Sequence, residues 1–367
     1  MRIQAAVARS DEELFRIESV ELDAPRADEV LVRIVGSGLC HTDLVMKSGI
    51  APFPFPAVFG HEGAGVVMAT GSAVAEFKIG DHVVMSFLSC GDCRCCNKDE
   101  PAYCQELMLL NYTGTRPDGS STLRNEHGAL GSHFFCQSSF ATHALARARN
   151  LVKVPKHLPL AILGPLGCGI QTGAGAVMRS LDLQADAALL IAGAGAVGLS
   201  AVMAGRLRGC KRIIVIEPNR ARRDLALELG ATHALNSELG DALVAQILAI
   251  EPAGMNAALD TSGNAQALQI CLDALGTQGV LGLLGSAAMD TPLPGHVNGV
   301  LSRGQSIRGI IEGDSIPQQF IPELLAHYER GEFPFDRMIS KYRFEDINQA
   351  VADHQSGVTV KAILTMD

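Results

Sequence analysis

Four cysteines, Cys90, Cys93, Cys96 and Cys104, follow the spacing C-x2-C-x2-C-x7-C. Four thiolates converging within one short lobe can supply the closed tetrahedral sulfur shell of a structural Zn2+. Between them, Gly91, Asp92 and Asn97 are small turn formers that let the backbone curl round a metal. The alternative is a set of loop thiols that are simply reduced or disulfide-bonded. Cys95 lies between two of the candidates, but the regular register runs through Cys96 and leaves Cys95 as the spare.

Three further segments carry metal-type residues: Gly38-Leu-Cys-His-Thr-Asp43, Gly60-His-Glu-Gly63 and Gly164-Pro-Leu-Gly-Cys-Gly169. A single Cys or His is more often just a packed residue. Here each lies among glycines that let the backbone come close to something. A shell of Cys40, His61 and Cys168 would also leave one position on zinc open, as catalytic zinc requires.

Gly193-Ala-Gly-Ala-Val-Gly198 fits G-x-G-x-x-G after an apolar strand and before a helix. Gly193 would make the tight turn, Gly195 would admit a pyrophosphate near the backbone, and Gly198 would allow close helix packing. Glu217 ends the next strand, 19 residues after Gly198, where an acid would accept bonds from an adenosine ribose. A carboxylate there repels a 2′-phosphate, which favours NAD over NADP. Arg220, Arg222 and Arg223 follow closely and act against that preference, unless they are only a solvated helix face.

These groups need elements to hold them. Residues 1–160 read as mostly β, with Val- and Ile-rich runs at 29–35, 63–67 and 81–87 broken by Gly, Pro and Asp. The Gly/Ser/Thr/Asn-rich stretch 105–132 reads as a surface excursion near a site. From about 170 to 310 strands and helices alternate: strands at 189–192, 212–217, 257–260 and 280–284, helices at 196–207, 220–229 and 265–275. That alternation implies a parallel sheet covered on both faces. A helix over 317–330 and a strand over 360–364 complete the chain.

Composition bounds the function. The chain has 367 residues, of which 47% are hydrophobic and 19% charged, which suits two folded domains. A net charge of −9 and the absence of Trp argue against nucleic acid as a partner. Residues 187–205 carry no charge, yet four glycines interrupt them, so no membrane span is expected. The N-terminus lacks an apolar run after its basic residues, so it does not read as a signal peptide. A cytoplasmic enzyme is the expected class.

At this point the chain resembles the zinc-dependent medium-chain alcohol dehydrogenase family, over essentially all 367 residues. Gly60-His-Glu-Gly-Ala-Gly-Val-Val67, the four-Cys lobe and the dinucleotide turn carry the resemblance. The run Gly164-Pro-Leu-Gly-Cys-Gly-Ile-Gln-Thr-Gly-Ala-Gly175 is most similar to the aryl (benzyl) alcohol dehydrogenase branch. The resemblance implies a GroES-like, mainly-β catalytic domain (1–169 and 313–367) carrying two zincs, one catalytic and one structural. It further implies an inserted Rossmann domain (170–312) of doubly wound parallel sheet for NAD, and a homodimer or homotetramer.

The resemblance also assigns roles. Cys40, His61 and Cys168 would hold catalytic zinc, with Glu62 beside the metal and Asp43 orienting His61. Thr42 would take the proton of the alcohol, and Phe87 would line the substrate pocket. His41 and Lys361 would contact the cofactor pyrophosphate, and Thr172 the nicotinamide. Where many family members carry a relay His, this chain has Val45, and the aryl branch is known for an aliphatic residue there. The expected reaction is reversible oxidation of a benzyl-type or allylic primary alcohol to its aldehyde, by zinc-alkoxide formation and hydride transfer. The apolar run Ile50-Ala-Pro-Phe-Pro-Phe-Pro56 suits a ring better than the charged adduct of a glutathione-dependent formaldehyde dehydrogenase, the alternative reading. A non-enzymatic zinc- or NAD-binding relative is a remote third.

Overall fold

A computed structural model describes every residue except Ala51, Asp241 and Asp367. Ala51, within the Ile50–Pro56 run, thus falls outside the described residues. The chain forms two units: 1–168 with 316–323 and 336–367, and 169–315 with 324–335. The tail is therefore shared, whereas the sequence reading gave all of 313–367 to the first unit.

In the first unit, β1 (Arg2–Ala8) and β2 (Arg16–Leu22) precede β3 (Glu29–Gly38), which feeds the short helix α1 (His41–Lys47). Then come β4 (Ala57–Val58), β5 (Glu62–Thr70), β6 (His82–Met85) and α2 (Leu107–Asn111). The hairpin β7 (Leu123–Asn125) and β8 (Gly128–Ala129) is followed by β9 (His143–Arg147) and β10 (Leu151–Lys153). One sheet runs β4-β1-β2-β7-β8. The core between the sheets holds Val30, Val32, Phe59, Phe140 and Leu145, among others.

In the second unit, α3 (Gly169–Gly175) leads into β11 (Ala188–Ala192), α4 (Ala196–Leu207), β12 (Arg212–Ile216) and α5 (Arg220–Leu229). β13 (His233–Leu235), α6 (Ala242–Ile250), β14 (Met255–Asp260) and α7 (Ala265–Ala274) follow, then β15 (Leu275–Leu283), α8 (Val297–Arg303) and β16 (Ser306–Gly309). The six strands are parallel in the order β13-β12-β11-β14-β15-β16. This is two mononucleotide-binding halves joined where the order reverses, between β11 and β14. No helix is long and apolar enough to cross a membrane among the described residues; the uncharged run 187–205 supplies β11 and α4.

Helix α9 (Pro317–Glu329) is followed by β17 (Ile339–Arg343), α10 (Ile347–Gln355) and β18 (Lys361–Thr365). β17 and α10 had no counterpart in the sequence reading. β18 pairs with β17 and with the last residues of β3, extending a second sheet β10-β6-β5-β3-β18-β17, on which β9 also pairs β3.

The stretch 105–132 is more than a surface excursion. Arg116 is 2% exposed and donates to both Glu29 oxygens (2.6 and 3.0 Å) and to Asp23 (3.0 Å). A buried guanidinium needs such partners, and they draw the loop inward. Beside this cluster lies His133, 2% exposed, with no hydrogen-bond partner at either ring nitrogen. Burial first, then the Arg116, Arg147 and Arg26 charges against the opposing Glu29, pushes its pKa down to about 4. The unfolded chain therefore takes up this proton first as pH falls. Stability from His133 is complete above the ordinary value near 6.5 and is lost as pH falls toward about 4, by about 3 kcal/mol. His133 has φ +65°, which Asn tolerates; His133→Asn should thus flatten the acid limb of a denaturation-versus-pH profile. An unaltered limb would count against this assignment.

Candidate active site

Cys40 stands at the mouth of α1, and Asp43 in that helix's first turn reaches back to it. Asp43 Oδ2 accepts from the Cys40 amide (3.0 Å), while Oδ1 accepts from the Gly60 amide (3.0 Å) and meets His61 Nδ1 at 2.8 Å. A carboxylate only accepts, so His61 carries its proton on Nδ1 and presents a lone pair at Nε2. Nε2 is buried and has no hydrogen-bond partner. Burial opposes a positive charge on His61, but Asp43 outweighs it and strengthens the hold of Nε2 on a cation, whether a proton or the metal ion that displaces it. Such a backing acid raises the basicity of a metal ligand.

Cys168 arrives on the turn Gly164–Gly167. An added Cβ on Gly164 would overlap the Glu62 carbonyl, and one on Gly167 the Met85 carbonyl. Only glycine lets this turn lie directly on β5 and β6. Ser86 then secures it, donating to the Gly167 carbonyl at 2.6 Å. The potential ligand atoms of Cys40, His61, Glu62 and Cys168 lie within 4.8 Å of one another. A hydrogen bond from Cys168 leads in holding the Cys40 thiol well below the usual range; burial opposes it, and Lys361 and His61 reinforce it. Two thiols, one of them easily ionised, and an orphaned imidazole lone pair are a donor set fitted to zinc. Thr42 Oγ1 stands 3.7 Å from Cys40 Sγ. Val45 lies about one turn further along α1, and His41 is exposed.

Glu62 has a different partner from the metal. Lys361 Nζ, buried on β18, donates to both Glu62 oxygens (2.9 and 2.8 Å) and to the Leu39 carbonyl (3.1 Å). Lys361, which the resemblance assigns to the cofactor pyrophosphate, is thus also the partner of Glu62. A buried ammonium requires a nearby anion, and Glu62 supplies it. Phe87 lies just past β6. It borders a cavity of about 390 Å³ with Phe77, Cys96, Pro101 and Pro317, and that lining includes none of Cys40, His61 or Cys168. Its neighbour Ser86 turns to the Cys168 loop.

The sequence reading missed the wall beside His61. Phe135 stacks on its ring at 4.5 Å, and Phe134 meets it edge-on at 5.5 Å. Tyr112 packs on Phe135 at 4.9 Å. His133, Phe135, Cys136 and Ser138 all have positive φ, a concentration of backbone strain that marks functional segments. Gln137 holds that segment, donating to the His61 carbonyl (2.8 Å) and accepting from the Gly63 amide (3.0 Å). The paired aromatics in His-Phe-Phe-Cys-Gln were the available signal.

The four-cysteine lobe also converges: the sulfurs of Cys90, Cys93, Cys96 and Cys104 lie within 4.8 Å of one another. Cys104 Sγ accepts from the Cys90 amide (3.2 Å), and Cys93 Sγ from the Gln105 amide (3.5 Å). The Cys96 and Gln105 amides bring the Cys93 thiol down to about 6. Burial pushes Cys90 up to about 12 and Cys104 upward as well. Four thiols so close ionise together only around a cation, which again suits zinc.

In the second unit the three glycines differ in kind. Gly193 has φ +96°, which excludes most side chains; a Cβ on Gly198 would overlap the Gly193 carbonyl; Gly195 faces open space. That is the tight turn, the close packing and the gap a pyrophosphate needs. Glu217 accepts from the Ala194 amide (2.8 Å) and the Asn219 amide (2.9 Å), which braces the turn. It also lines a cavity of about 410 Å³ with Arg222, Ser237, Thr261 and Asn264. Thr172, on α3, donates to Glu312 at 3.4 Å.

Comparison with known proteins identifies the family. Residues 26–156 match the alcohol dehydrogenase GroES-like domain, and residues 196–330 the zinc-binding dehydrogenase domain. The chain is 46% identical over 362 residues to geraniol dehydrogenase of Castellaniella defragrans, covering 98% of this chain and 97% of that protein. Among solved structures, an alcohol dehydrogenase zinc-binding domain protein from Burkholderia ambifaria superposes with a TM-score of 0.98 at 49% identity, over 100% of this chain and 99% of the other. Benzyl alcohol dehydrogenase from Acinetobacter calcoaceticus gives 0.96 at 43%, over the whole of both. The chain belongs to the zinc-dependent medium-chain alcohol dehydrogenase family.

Proposed function

We propose that this chain reversibly oxidises primary aromatic or allylic alcohols to aldehydes with NAD+, using one catalytic and one structural zinc. The observation that carries the reading is the cluster of Cys40, Cys168 and the orphaned His61 Nε2 beneath the Phe134–Phe135 wall. Geraniol and benzyl alcohol, named in the two relatives, are allylic and aromatic primary alcohols, and an aromatic wall suits both. Glu217 at the adenosine cavity favours NAD over NADP, with Arg222 at the same cavity beside it.

Cys40, His61 and Cys168 would hold the catalytic zinc, and the four-Cys lobe the other. Bound zinc supplies Lewis acidity that makes an alcohol more acidic and a carbonyl more electrophilic. The chain does the rest. Asp43 fixes the His61 tautomer, and Lys361 balances the Glu62 charge. The Thr42 hydroxyl, beside the cluster, accepts the alcohol proton. Val45 has no group to pass it on, so the proton leaves by another path. Gly195 and the first turn of α4 receive the pyrophosphate, and Thr172 orients the nicotinamide.

All ten cysteines are free in the structure, which suits a reducing cytoplasm. The edge strand β16 and the exposed Val297 and Leu301 of α8 support a homodimer or homotetramer. Light scattering of the purified protein is expected to give a mass of two or four chains; a monomer would refute it.

A panel of alcohols with NAD+ and NADP+ tests the substrate class. Benzyl alcohol and geraniol with NAD+ should give the highest kcat/KM, whereas preference for S-hydroxymethylglutathione would overturn the reading. Zinc analysis should find two ions per chain, and Cys40→Ala should retain one and lose turnover. Asp43→Asn should weaken zinc binding or activity by about 10–100-fold, measured by competition with a chelator. Wild-type zinc affinity and turnover in that variant would show that Asp43 does not orient the ligand.

A further inference from the structure

Glu312 lies just past β16, at the carboxyl end of the sheet half made by β14, β15 and β16. It is 9% exposed. Three consecutive residues there, Glu312, Gly313 and Asp314, have φ of +51°, +66° and +51°. Two of them are not glycine, so the turn is strained and must be held by its surroundings.

Helix α3 is what holds it. A Cβ on Gly175 would overlap the Gly313 carbonyl, and one on Gly313 the Gln171 carbonyl. Glu312 Oε2 accepts from Gln171 Nε2 (2.9 Å) and Thr172 Oγ1 (3.4 Å). Ser315 completes the lock, with its hydroxyl 3.1 Å from Gln171 Oε1 and 2.6 Å from the Glu312 carbonyl. On its other side α3 lies against the dinucleotide turn, since a Cβ on Gly173 would overlap the Val197 carbonyl. A buried acid is thus fixed one helix away from the residues that receive the cofactor.

In a sheet of this order, one mononucleotide binds at the ends of β11, β12 and β13, and the other across the switch point at β14, β15 and β16. The cavity with Glu217 and Arg222 marks the adenosine half. Glu312 therefore belongs to the half that takes the nicotinamide. That ring is cationic when oxidised and neutral when reduced.

We infer that Glu312 is a redox-state discriminator: its carboxylate orients Thr172 and favours the cationic ring, so the protein holds NAD+ more tightly than it would without that charge, and NADH gains nothing. The inference rests on the NAD reading above. Weak retention of NADH eases its departure after alcohol oxidation.

Glu312→Gln keeps the size and an acceptor oxygen but removes the charge. Dissociation constants for NAD+ and NADH would be measured on the full-length, zinc-loaded protein by calorimetry and nucleotide fluorescence. The expected result is a Kd for NAD+ raised about tenfold, with NADH binding as in the wild type. Glu312→Asp, which restores the charge, should bring the NAD+ value back toward wild type. An unchanged NAD+:NADH ratio in Glu312→Gln would overturn the inference while leaving the NAD reading intact. A wild-type protein that binds neither nucleotide would overturn both. A purely structural role would weaken both nucleotides together and lower the melting temperature, and that outcome also counts against the inference.

Discussion

The first unit's chemistry depends on a single carboxylate. Asp43 is buried and holds three donors from three places: the Cys40 amide at a helix start, the Gly60 amide in a loop, and the His61 ring at the start of β5. Its negative charge makes these bonds stronger than neutral ones. They fix the spacing between a thiol and an imidazole that are 21 residues apart in sequence. The third ligand comes by a different constraint, because glycines at 164 and 167 let the Cys168 turn rest directly on two strands. Electrostatics position two of the candidate ligands and steric permission positions the third.

Much of this was legible in the residues. Alternating strand and helix patterns after residue 170 gave the parallel sheet, and the G-A-G-A-V-G run fell where a strand meets a helix. The regular cysteine spacing anticipated the converging lobe, because all of its ligands come from one short segment. The split cluster was harder, since its ligands come from three segments and only their glycine flanks hinted that the backbones meet. β17 and α10 escaped notice because their sequences, ISKYR and INQAVADHQ, are polar and only weakly periodic.

Side-chain partners were the least legible layer. That Lys361 meets Glu62 depends on which strand β18 joins, and that pairing with β3 is not written locally. Phe135 and Glu312 both sit in left-handed backbone that propensity would assign to neither residue. Such positions exist because surrounding contacts impose them, so no local rule finds them.

The ion pair between Lys361 and Glu62 joins residues 299 apart in sequence. During synthesis, β3 and β5 would emerge long before β18, and the second unit's 169–315 would be made in between. Until the last strand arrives, the acid next to the metal cluster has no counter-ion, and a buried lone carboxylate is costly. The candidate metal cluster of the nascent chain would therefore stay open to water while residues 169–315 are made, and docking of β18 would both extend a sheet and neutralise Glu62. The charge balance beside the cysteine–histidine cluster thus depends on a strand made long after the residues it neutralises.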